Sequence, residues 1–157
     1  MSGIEPLPRL AASDFKQVIR HAPLFSIDLL VKNPDGRFLL GLRTNAPARG
    51  YWFVPGGRVY KNEPLAAAFE RISRTELGVS ASLTTGSLIG LYEHFYEDNV
   101  FSAEFGTHYI AAAYSLNVDG LDSLPGRQHS DYRWASREEI FRDATVHPYT
   151  RDYFLNA

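Results

Sequence analysis

The stretch GRVYKNEPLAAAFERISRTELGV, residues 57–79, guides the interpretation of the whole chain because it combines a loop, a helix and a helix stop signal. The helix is predicted to begin near Glu63 and Pro64, since proline is favoured in a first helical turn. It is predicted to end at Gly78, because glycine readily adopts the left-handed conformation that closes a helix. Gly56 and Gly57 are expected to form a turn that lets a backbone carbonyl approach a ligand.

Four side chains project from nearly the same side of this helix at about 100° per residue, namely Leu65, Phe69, Ile72 and Glu76. The three apolar side chains are expected to face a sheet, which places Glu76 at the end of a buried stripe. Burial and the negative end of the helix dipole both disfavour a carboxylate there. One explanation is a salt bridge with a cation such as Arg71 or Arg74. The other is ligation of Mg²⁺ or Mn²⁺, which prefer hard oxygen donors.

Hydrophobic periodicity predicts strands on both sides of the helix. Alternation from Phe25 to Val31 is typical of a strand, Pro34–Gly36 of a turn, and Phe38–Arg43 of the returning strand. The other predicted elements are a helix over 14–21 capped by Ser13, short extended segments at 51–54 and 58–61, strands over 87–97, 107–118 and 132–135, a loop over 120–130, and a last helix from Arg137 capped by Ser136. This order predicts an α/β fold in which a mixed sheet lies between helices.

Composition restricts the class of protein. The 157 residues are a length typical of a single domain, here residues 1–157, that can bury a substantial core. The net charge of −2 argues against a general nucleic-acid-binding protein. The chain has no cysteine, which excludes disulfides and thiolate metal sites. We find no signal peptide at the start and no apolar run near the roughly 20 residues that cross a bilayer. We therefore expect a soluble, cytoplasmic protein that binds neither nucleic acid nor membrane.

Residues 57–79 resemble the Nudix box, the signature of a superfamily of hydrolases. Six of the positions that define the box are in register: Gly57, Glu63, Arg71, Glu76, Gly78 and Val79. Ile72 and Thr75 stand where the family usually has glutamate, and Ser73 stands where it has an aliphatic residue. The register favours metal ligation by Glu76, and the missing carboxylates predict that the usual pyrophosphate chemistry is altered.

Beyond the box, the chain resembles one Nudix subfamily, the GDP-mannose mannosyl hydrolases. The segments that carry this resemblance are LLGLRTNAPARGYWFVPGGRV (39–59), YEHFYEDN (92–99), THY (107–109) and RQHSDYRW (127–134). With Ile72 and Thr75 they span most of the chain from Asp28 to Trp134. The resemblance implies the Nudix α/β/α fold, a homodimer, and hydrolysis of GDP-mannose to GDP and mannose. It implies one Mg²⁺ ion, with Mn²⁺ as an alternative, and inverting attack of water at the anomeric carbon of the sugar.

The same resemblance implies a set of site residues. The metal ligands would be Gly56, Glu76 and Gln128. The general base would be His129. The arginines that contact phosphate or support catalysis would be Arg43, Arg58 and Arg71. The residues near the sugar or the diphosphate would be Asp28, His94 and Tyr109. The segment after Ala135 matches less distinctively, so it is given no catalytic role.

These residue types suit that reaction. A nucleoside diphosphate leaving group needs charge neutralisation, which a divalent metal and arginine side chains supply. The attacking water needs a base, and histidine titrates near working pH. Taken singly, each residue also has a plainer interpretation. His129 could be a solvated loop residue, and Asp28 could be a structural carboxylate. Arg43 and Arg58 could be surface charges. His94 and Tyr109 could be packing residues.

Three functions are open at this point. The first is a GDP-sugar glycosyl hydrolase, in which mannose, glucose and fucose are all candidates for the sugar. The second is a Nudix pyrophosphohydrolase that cleaves a nucleoside diphosphate derivative at phosphorus, and Ile72 and Thr75 argue against it. The third is a nucleotide-sugar-binding protein with little turnover, and the adjacent Gln128 and His129 argue against that.

Overall fold

The computed structural model describes residues 10–121, 124 and 129–155. Its helices are α1 (Ala12–His21), α2 (Leu65–Leu77), α3 (Arg137–Arg142) and α4 (Pro148–Tyr153). Its strands are β1 (Leu24–Lys32), β2 (Phe38–Arg43), β3 (Trp52–Phe53), β4 (Gly56–Arg58), β5 (Ser87–Tyr96), β6 (Thr107–Asn117) and β7 (His129–Ala135). A short 3₁₀ turn, Leu83–Thr85, follows α2.

The seven strands of the described residues form one mixed sheet. Its main path runs β3-β2-β1-β6-β5, while β4 pairs with β1 and β7 pairs with β2. Strands β1 and β6 are parallel, from Leu24 opposite Tyr109 to Lys32 opposite Asn117. The other pairs are antiparallel. The predicted α/β fold with a mixed sheet between helices is confirmed.

Strand β1 carries the core on both of its faces. Ile27 and Leu29 pack with α2 on one side of the sheet, while Leu30 packs with α3 and α4 on the other. The predicted alternation of buried and exposed residues in β1 is therefore wrong, because Ser26 and Asp28 are buried as well. A strand covered by helices on both faces has no solvent side.

Helix α2 closes where the sequence predicts and begins slightly later. Gly78 has a φ of 75° and its N–H donates to the carbonyl of Arg74, so the predicted stop is confirmed. Pro64 is the N-cap, one residue before the first helical position. Leu65 is 42% exposed, so the prediction that it faces the sheet is wrong. It lies in the first turn of α2, outside the buried stripe formed by Phe69 and Ile72.

The structure explains the serine that replaces an aliphatic residue in the box. Ser73 is fully buried, yet its hydroxyl donates to the carbonyl of Glu70 and accepts the backbone N–H of Ala81, both at 2.9 Å. A buried hydroxyl with both a donor and an acceptor partner is not destabilising. Ser73 thus ties the segment that leaves α2 back onto the helix.

Several predicted boundaries are wrong. The predicted loop over 120–130 is too long, since β7 already begins at His129. The predicted strand over 58–61 lies instead at Gly56–Arg58, where it pairs with β1 rather than forming a free glycine turn. Helix α1 begins at Ala12, and Ala11, not Ser13, occupies its N-cap. Ser136 caps α3 as predicted, in a capping box with Glu139. Helix α4 was not predicted.

Asp143 links β7 to the segment before α4, and its ionised form should stabilise the fold. It accepts hydrogen bonds from Thr145 and forms an ion pair with Arg133. Hydrogen bonds from Thr145 and then Arg133 lower the pKa of Asp143 to about 2, below the ordinary value of an aspartate. We expect Asp143→Asn to lower the free energy of unfolding by about 1 kcal/mol, after allowance for solvent screening.

The decrease in the free energy of unfolding should have its full size above pH 4, because a carboxyl with a depressed folded-state pKa stabilises the fold above its unfolded pKa. It should shrink as the pH falls from about 4 towards 2. Urea unfolding at several pH values measures it, with the exposed Asp119 replaced by asparagine as the matched control. A deficit that did not change with pH would show that the charge of Asp143 is not what stabilises the fold.

Candidate active site

A cavity of about 600 Å³ lies between α1, β1, β4, α2, β5 and β6. That volume is typical of a small-molecule site. The predicted site residues that line it are Asp28, Arg43, Gly56, Arg58, Arg71, Glu76, His94 and Tyr109. The structure thus brings together side chains that are far apart in the sequence. Gln128, a predicted metal ligand, lies outside the described residues.

Glu76 lies in the wall of the cavity at the end of α2. The residue is 5% exposed. Burial raises its pKa to about 7, against the opposing effect of Arg43, and the nearby Asp28 adds to the rise. The two arginines proposed for a salt bridge have other glutamate partners: Arg71 pairs with Glu63, and Arg74 lies 3.8 Å from Glu70. A cation bound at Glu76 would stabilise the ionised carboxylate that burial disfavours.

The two glycines of β4 in the cavity wall, Gly56 and Gly57, serve close packing rather than a turn. A Cβ atom on Gly56 would lie 2.2 Å from Oδ1 of Asp28, and one on Gly57 would lie 3.0 Å from Cγ1 of Ile72. Any larger residue at position 56 would therefore displace a cavity carboxylate. The glycines let β4 approach both β1 and α2, which places the backbone of β4 in the cavity wall.

Arg43 provides a positive charge that acts on much of the site. Its Nε donates to the carbonyl of Pro47 at 3.0 Å, which orients the guanidinium at the end of β2. Its positive charge lowers the pKa of Asp28 and of Glu76, against the rise that burial causes. It also lowers the pKa of His129. Because Arg43 lines the cavity, an anionic ligand would meet a positioned cation there.

Arg71 and Arg58 are held by neighbouring side chains. Arg71 makes a two-pronged contact with Glu63, at 2.7 and 2.9 Å, and donates to the carbonyl of Arg58 at 2.7 Å. Its guanidinium also lies 3.9 Å from the ring centre of Tyr60. Arg58 stacks over Phe15 of α1 at 4.4 Å. Arg71 therefore supports the wall of the site, whereas Arg58 connects the wall to α1.

His129 is buried, contrary to the interpretation as a solvated loop residue. It is 2% exposed, and its Nδ1 lies 3.8 Å from Oε2 of Glu76. Within the described residues, neither ring nitrogen has a hydrogen-bond partner. Burial first, and then Arg43, lower its pKa to about 4, so the imidazole is neutral at pH 7. Unlike Glu76, it does not line the cavity. It packs against Gly41, where a Cβ atom would lie 2.5 Å from the ring.

Asp28 and His94 are joined by a residue that the sequence analysis missed. Tyr153 of α4 is fully buried, and its hydroxyl donates to Oδ2 of Asp28 and lies 3.1 Å from Nε2 of His94. Burial raises the pKa of Asp28 to about 6, although Tyr153 and Arg43 oppose the rise. Burial and His147 lower the pKa of His94 to about 4. The one available signal was the spacing of Tyr149 and Tyr153, which puts both on one side of a helix.

Two further tyrosines line the same part of the cavity. Tyr109 lies opposite His94 in the β5–β6 pair, and its ring packs edge-on against Tyr96 with the ring centres 6.4 Å apart. Burial raises the pKa of both hydroxyls. They are thus neutral hydrogen-bond donors at any working pH. Tyr96 is a second lining residue that the sequence analysis did not name.

The comparison with protein families agrees with the fold and with the box. The family model described as NUDIX domain matches residues 23–156. The chain belongs to the Nudix family. This assignment identifies it as a Nudix hydrolase, in a family whose members bind nucleotide derivatives. The match confirms the superfamily part of the sequence prediction.

Named relatives resemble this chain over most of its length. The low-salt glycan biosynthesis protein Agl8 of Haloferax volcanii is 36% identical over 151 residues, which cover 95% of this chain and 91% of that protein. The crystal structure of a MutT protein from Methanosarcina mazei Go1 has a TM-score of 0.69 at 27% identity, covering 86% of this chain and 93% of that one. A MutT Nudix hydrolase from Burkholderia pseudomallei shares the fold, with a TM-score of 0.71 at 24% identity, covering 87% of this chain and 99% of that one.

Nudix hydrolases generally use a divalent metal such as Mg²⁺, and the described residues fit a sparse metal site. Among residues 10–121, 124 and 129–155, no cluster of three histidine or acidic side chains could hold a metal alone. The acidic side chains in the cavity wall are Asp28 and Glu76. Mg²⁺ is commonly held by one or two carboxylates together with phosphate oxygens of the substrate. Glu76 fits that arrangement because it is a buried oxygen donor that gains from a nearby cation.

None of the helices in the described part of the chain is long and apolar enough to cross a membrane.

Proposed function

We propose that this Nudix hydrolase cleaves a nucleotide sugar, with GDP-mannose as the expected substrate and GDP-glucose as the second candidate, to nucleoside diphosphate and free sugar. Water would attack the anomeric carbon with inversion. One observation carries the proposal. Ile72, Thr75 and Glu76 all lie in the cavity wall, and Glu76 is the only carboxylate of the three. The cavity therefore lacks the box glutamates that would gather several cations at a phosphorus atom.

The charges of the cavity wall support a ligand with two chemically different halves. Arg43, Arg58 and Arg71 line the cavity; Arg43 and Arg58 suit diphosphate oxygens, whereas Arg71, paired with Glu63, supports the wall beside them. Asp28 and His94 have acceptor atoms and suit a donor such as a sugar hydroxyl. A nucleotide sugar has both an anionic diphosphate and a hydroxyl-rich ring. A nucleoside triphosphate has no hydroxyl-bearing group beyond its phosphates, so its hydroxyl donors all lie on the nucleoside side.

Glu76, the carbonyl of Gly56 and the side chain of Gln128 are the proposed ligands of one Mg²⁺ or Mn²⁺ ion. Such an ion, when bound, would neutralise charge on the departing diphosphate. Arg43 and Arg58 would contribute positive charge to the same leaving group. A nucleoside diphosphate stabilised in this way leaves without a general acid, so the chain needs to supply only a base.

His129 is the proposed general base. An imidazole must be neutral before it can accept a proton, and burial keeps this imidazole neutral at pH 7. Its ring is next to Glu76 but not in the cavity wall. The role therefore requires the ring to reach the cavity when substrate is bound. Its two nitrogens, without partners among the described residues, leave it able to do so without breaking a hydrogen bond to them.

The name of the Haloferax relative, a low-salt glycan biosynthesis protein, also supports a sugar-containing substrate. The homodimer, the cytoplasmic location and the single domain over residues 1–157 stay predictions. Size-exclusion chromatography with light scattering would test the dimer.

The reaction is tested by incubating the protein with GDP-mannose and Mg²⁺ in ¹⁸O-labelled water and weighing both products. Attack at the sugar carbon places the label in mannose, while GDP stays unlabelled. Label in a phosphate-containing product would instead favour a Nudix pyrophosphohydrolase that acts at phosphorus. GDP-glucose and GDP-fucose serve as comparison substrates. Binding of these nucleotide sugars without any turnover would overturn the enzyme proposal in favour of a nucleotide-sugar-binding protein.

A further inference from the structure

The C-terminal helix α4 contributes a fully buried side chain to the site. Tyr153 contacts two lining residues from different strands, Asp28 of β1 and His94 of β5. Its hydroxyl is the shared atom, and no sequence motif marks it. The segment that contains Tyr153 carries none of the box residues.

The directions of these hydrogen bonds follow from the chemistry of the groups. An ionised carboxylate can only accept, and a tyrosine hydroxyl has a single proton. Tyr153 therefore donates to Oδ2 of Asp28 and must accept from Nε2–H of His94. A neutral imidazole carries one proton, so Nδ1 of His94 is left as an acceptor. One hydroxyl thus determines the tautomer of a histidine that lines the cavity.

The packing around His94 fixes its ring as well. Tyr149 stacks on the imidazole with ring centres 4.4 Å apart and an interplanar angle of 8°. The Tyr149 hydroxyl donates to the carbonyl of Phe95 and accepts its N–H, at 2.9 and 3.0 Å. Helix α4 is therefore attached to β5 on both sides of His94. The ring cannot turn to exchange its nitrogens without breaking these contacts.

We propose that Tyr153 is a positioning residue that presents Asp28 and His94 as two hydrogen-bond acceptors for the hydroxyl-bearing half of the ligand. The proposal rests on the proposed function in that this half is a sugar. Tyr153 occupies Oδ2 of Asp28, whereas Oδ1 faces the glycine at position 56 in the cavity wall. Two fixed acceptors select hydroxyl donors and disfavour phosphate oxygens, which are themselves acceptors. The diphosphate is thereby directed to the arginines.

Tyr153→Phe removes one oxygen and keeps the buried ring. We expect KM for GDP-mannose to rise about tenfold, the size of effect that follows when buried polar groups lose a partner. The inhibition constant of GDP, which lacks the sugar, should stay unchanged. Tyr92→Phe is the matched control, because Tyr92 packs against the ring of Tyr153 at 4.7 Å but takes no part in this hydrogen-bonded chain.

A second measurement does not depend on turnover. In ¹⁵N-histidine NMR spectra of the substrate-free protein at pH 8, His94 should be a single tautomer protonated at Nε2. Tyr153→Phe should shift His94 towards a mixture of its two tautomers, because Nε2–H then has no hydroxyl oxygen to donate to. Asp28→Asn should have the same effect, because the Tyr153 hydroxyl then no longer has to donate to residue 28. A changed tautomer without hydrolysis of any nucleotide sugar would support the positioning role and contradict the proposed function alone. An unchanged tautomer, or an equal loss of affinity for GDP and GDP-mannose, would overturn the role of Tyr153.

Discussion

Glu76→Gln is expected to lower kcat for the nucleotide sugar by a factor on the order of 10²–10³, the size of loss that follows removal of one group that stabilises developing charge. The amide keeps the shape of the side chain but loses the negative charge that a divalent cation needs. Glu76 is the box carboxylate in the cavity wall. Ile72 and Thr75 supply no carboxylate that could replace it. Steady-state kinetics at saturating Mg²⁺ measures the loss.

Metal binding separates a ligand role for Glu76 from a purely structural one. Titration with Mn²⁺ in the presence of GDP, followed by electron paramagnetic resonance of the free ion, should show tight binding to the wild-type protein and weak binding to the variant. Glu70→Gln is the control, since Glu70 is an exposed glutamate on the same helix that pairs with Arg74 at 3.8 Å. An exposed pair of this kind contributes at most about 1 kcal/mol, so Mn²⁺ binding and kcat should not change.

Stability should respond in the opposite direction to activity. Burial raises the pKa of Glu76 to about 7, so the ionised carboxylate destabilises the metal-free fold above that pH. In metal-free buffer at pH 8 the neutral amide should therefore make the protein at least as stable as the wild type. A variant that bound Mn²⁺ normally, or that lost activity only because it unfolded, would contradict the metal-ligand role.

The sequence predicted the central part of the fold because its signals are local. A proline and a glycine bound helix α2, the alternation in β1 identifies a strand, and the turn at Pro34–Gly36 places β2 after it. What it could not predict is how far each strand is buried. Ser26 and Asp28 look like the solvent face of β1, but both are buried, and α4 covers Asp28 and Leu30 on that face. A six-residue helix near the end of the chain gives too weak a periodic signal to reveal this.

In the candidate site, too, local sequence signals could be predicted and tertiary contacts could not. Arg43, Glu76 and His94 could be chosen from the sequence because they lie in segments that resemble a subfamily. The pairing of Arg71 with Glu63 could not, because the box marks both positions without saying that they touch, and the two-pronged contact needs the folded loop. Tyr153 lies 125 residues from Asp28 in the chain. A contact of that separation depends on the tertiary packing of α4 alone.

His129→Gln is expected to lower kcat by a factor of about 10²–10⁴, the usual contribution of a general base, with a small change in KM. Glutamine has a similar size and polarity but cannot accept a proton from water at neutral pH. His108→Gln is the control, since His108 stacks on the exposed Phe95 and does not line the cavity. Single-turnover measurements keep a slow product release from masking the chemical step. A His129→Gln protein with wild-type kcat would exclude this residue as the base.

Gly41→Ala tests whether the imidazole of His129 acts from its buried position or only after it has moved into the cavity. A Cβ atom at Gly41 would lie 2.5 Å from the imidazole, so alanine displaces the ring without removing it. Overpacking of this kind costs about 1–3 kcal/mol of stability. A base that works only after leaving its buried position loses little from this displacement, so Gly41→Ala should keep far more activity than His129→Gln. If both variants lost activity equally while folded, the imidazole would have to act from beside Glu76. It would then be a positioning residue for that carboxylate rather than the group that takes the proton from water.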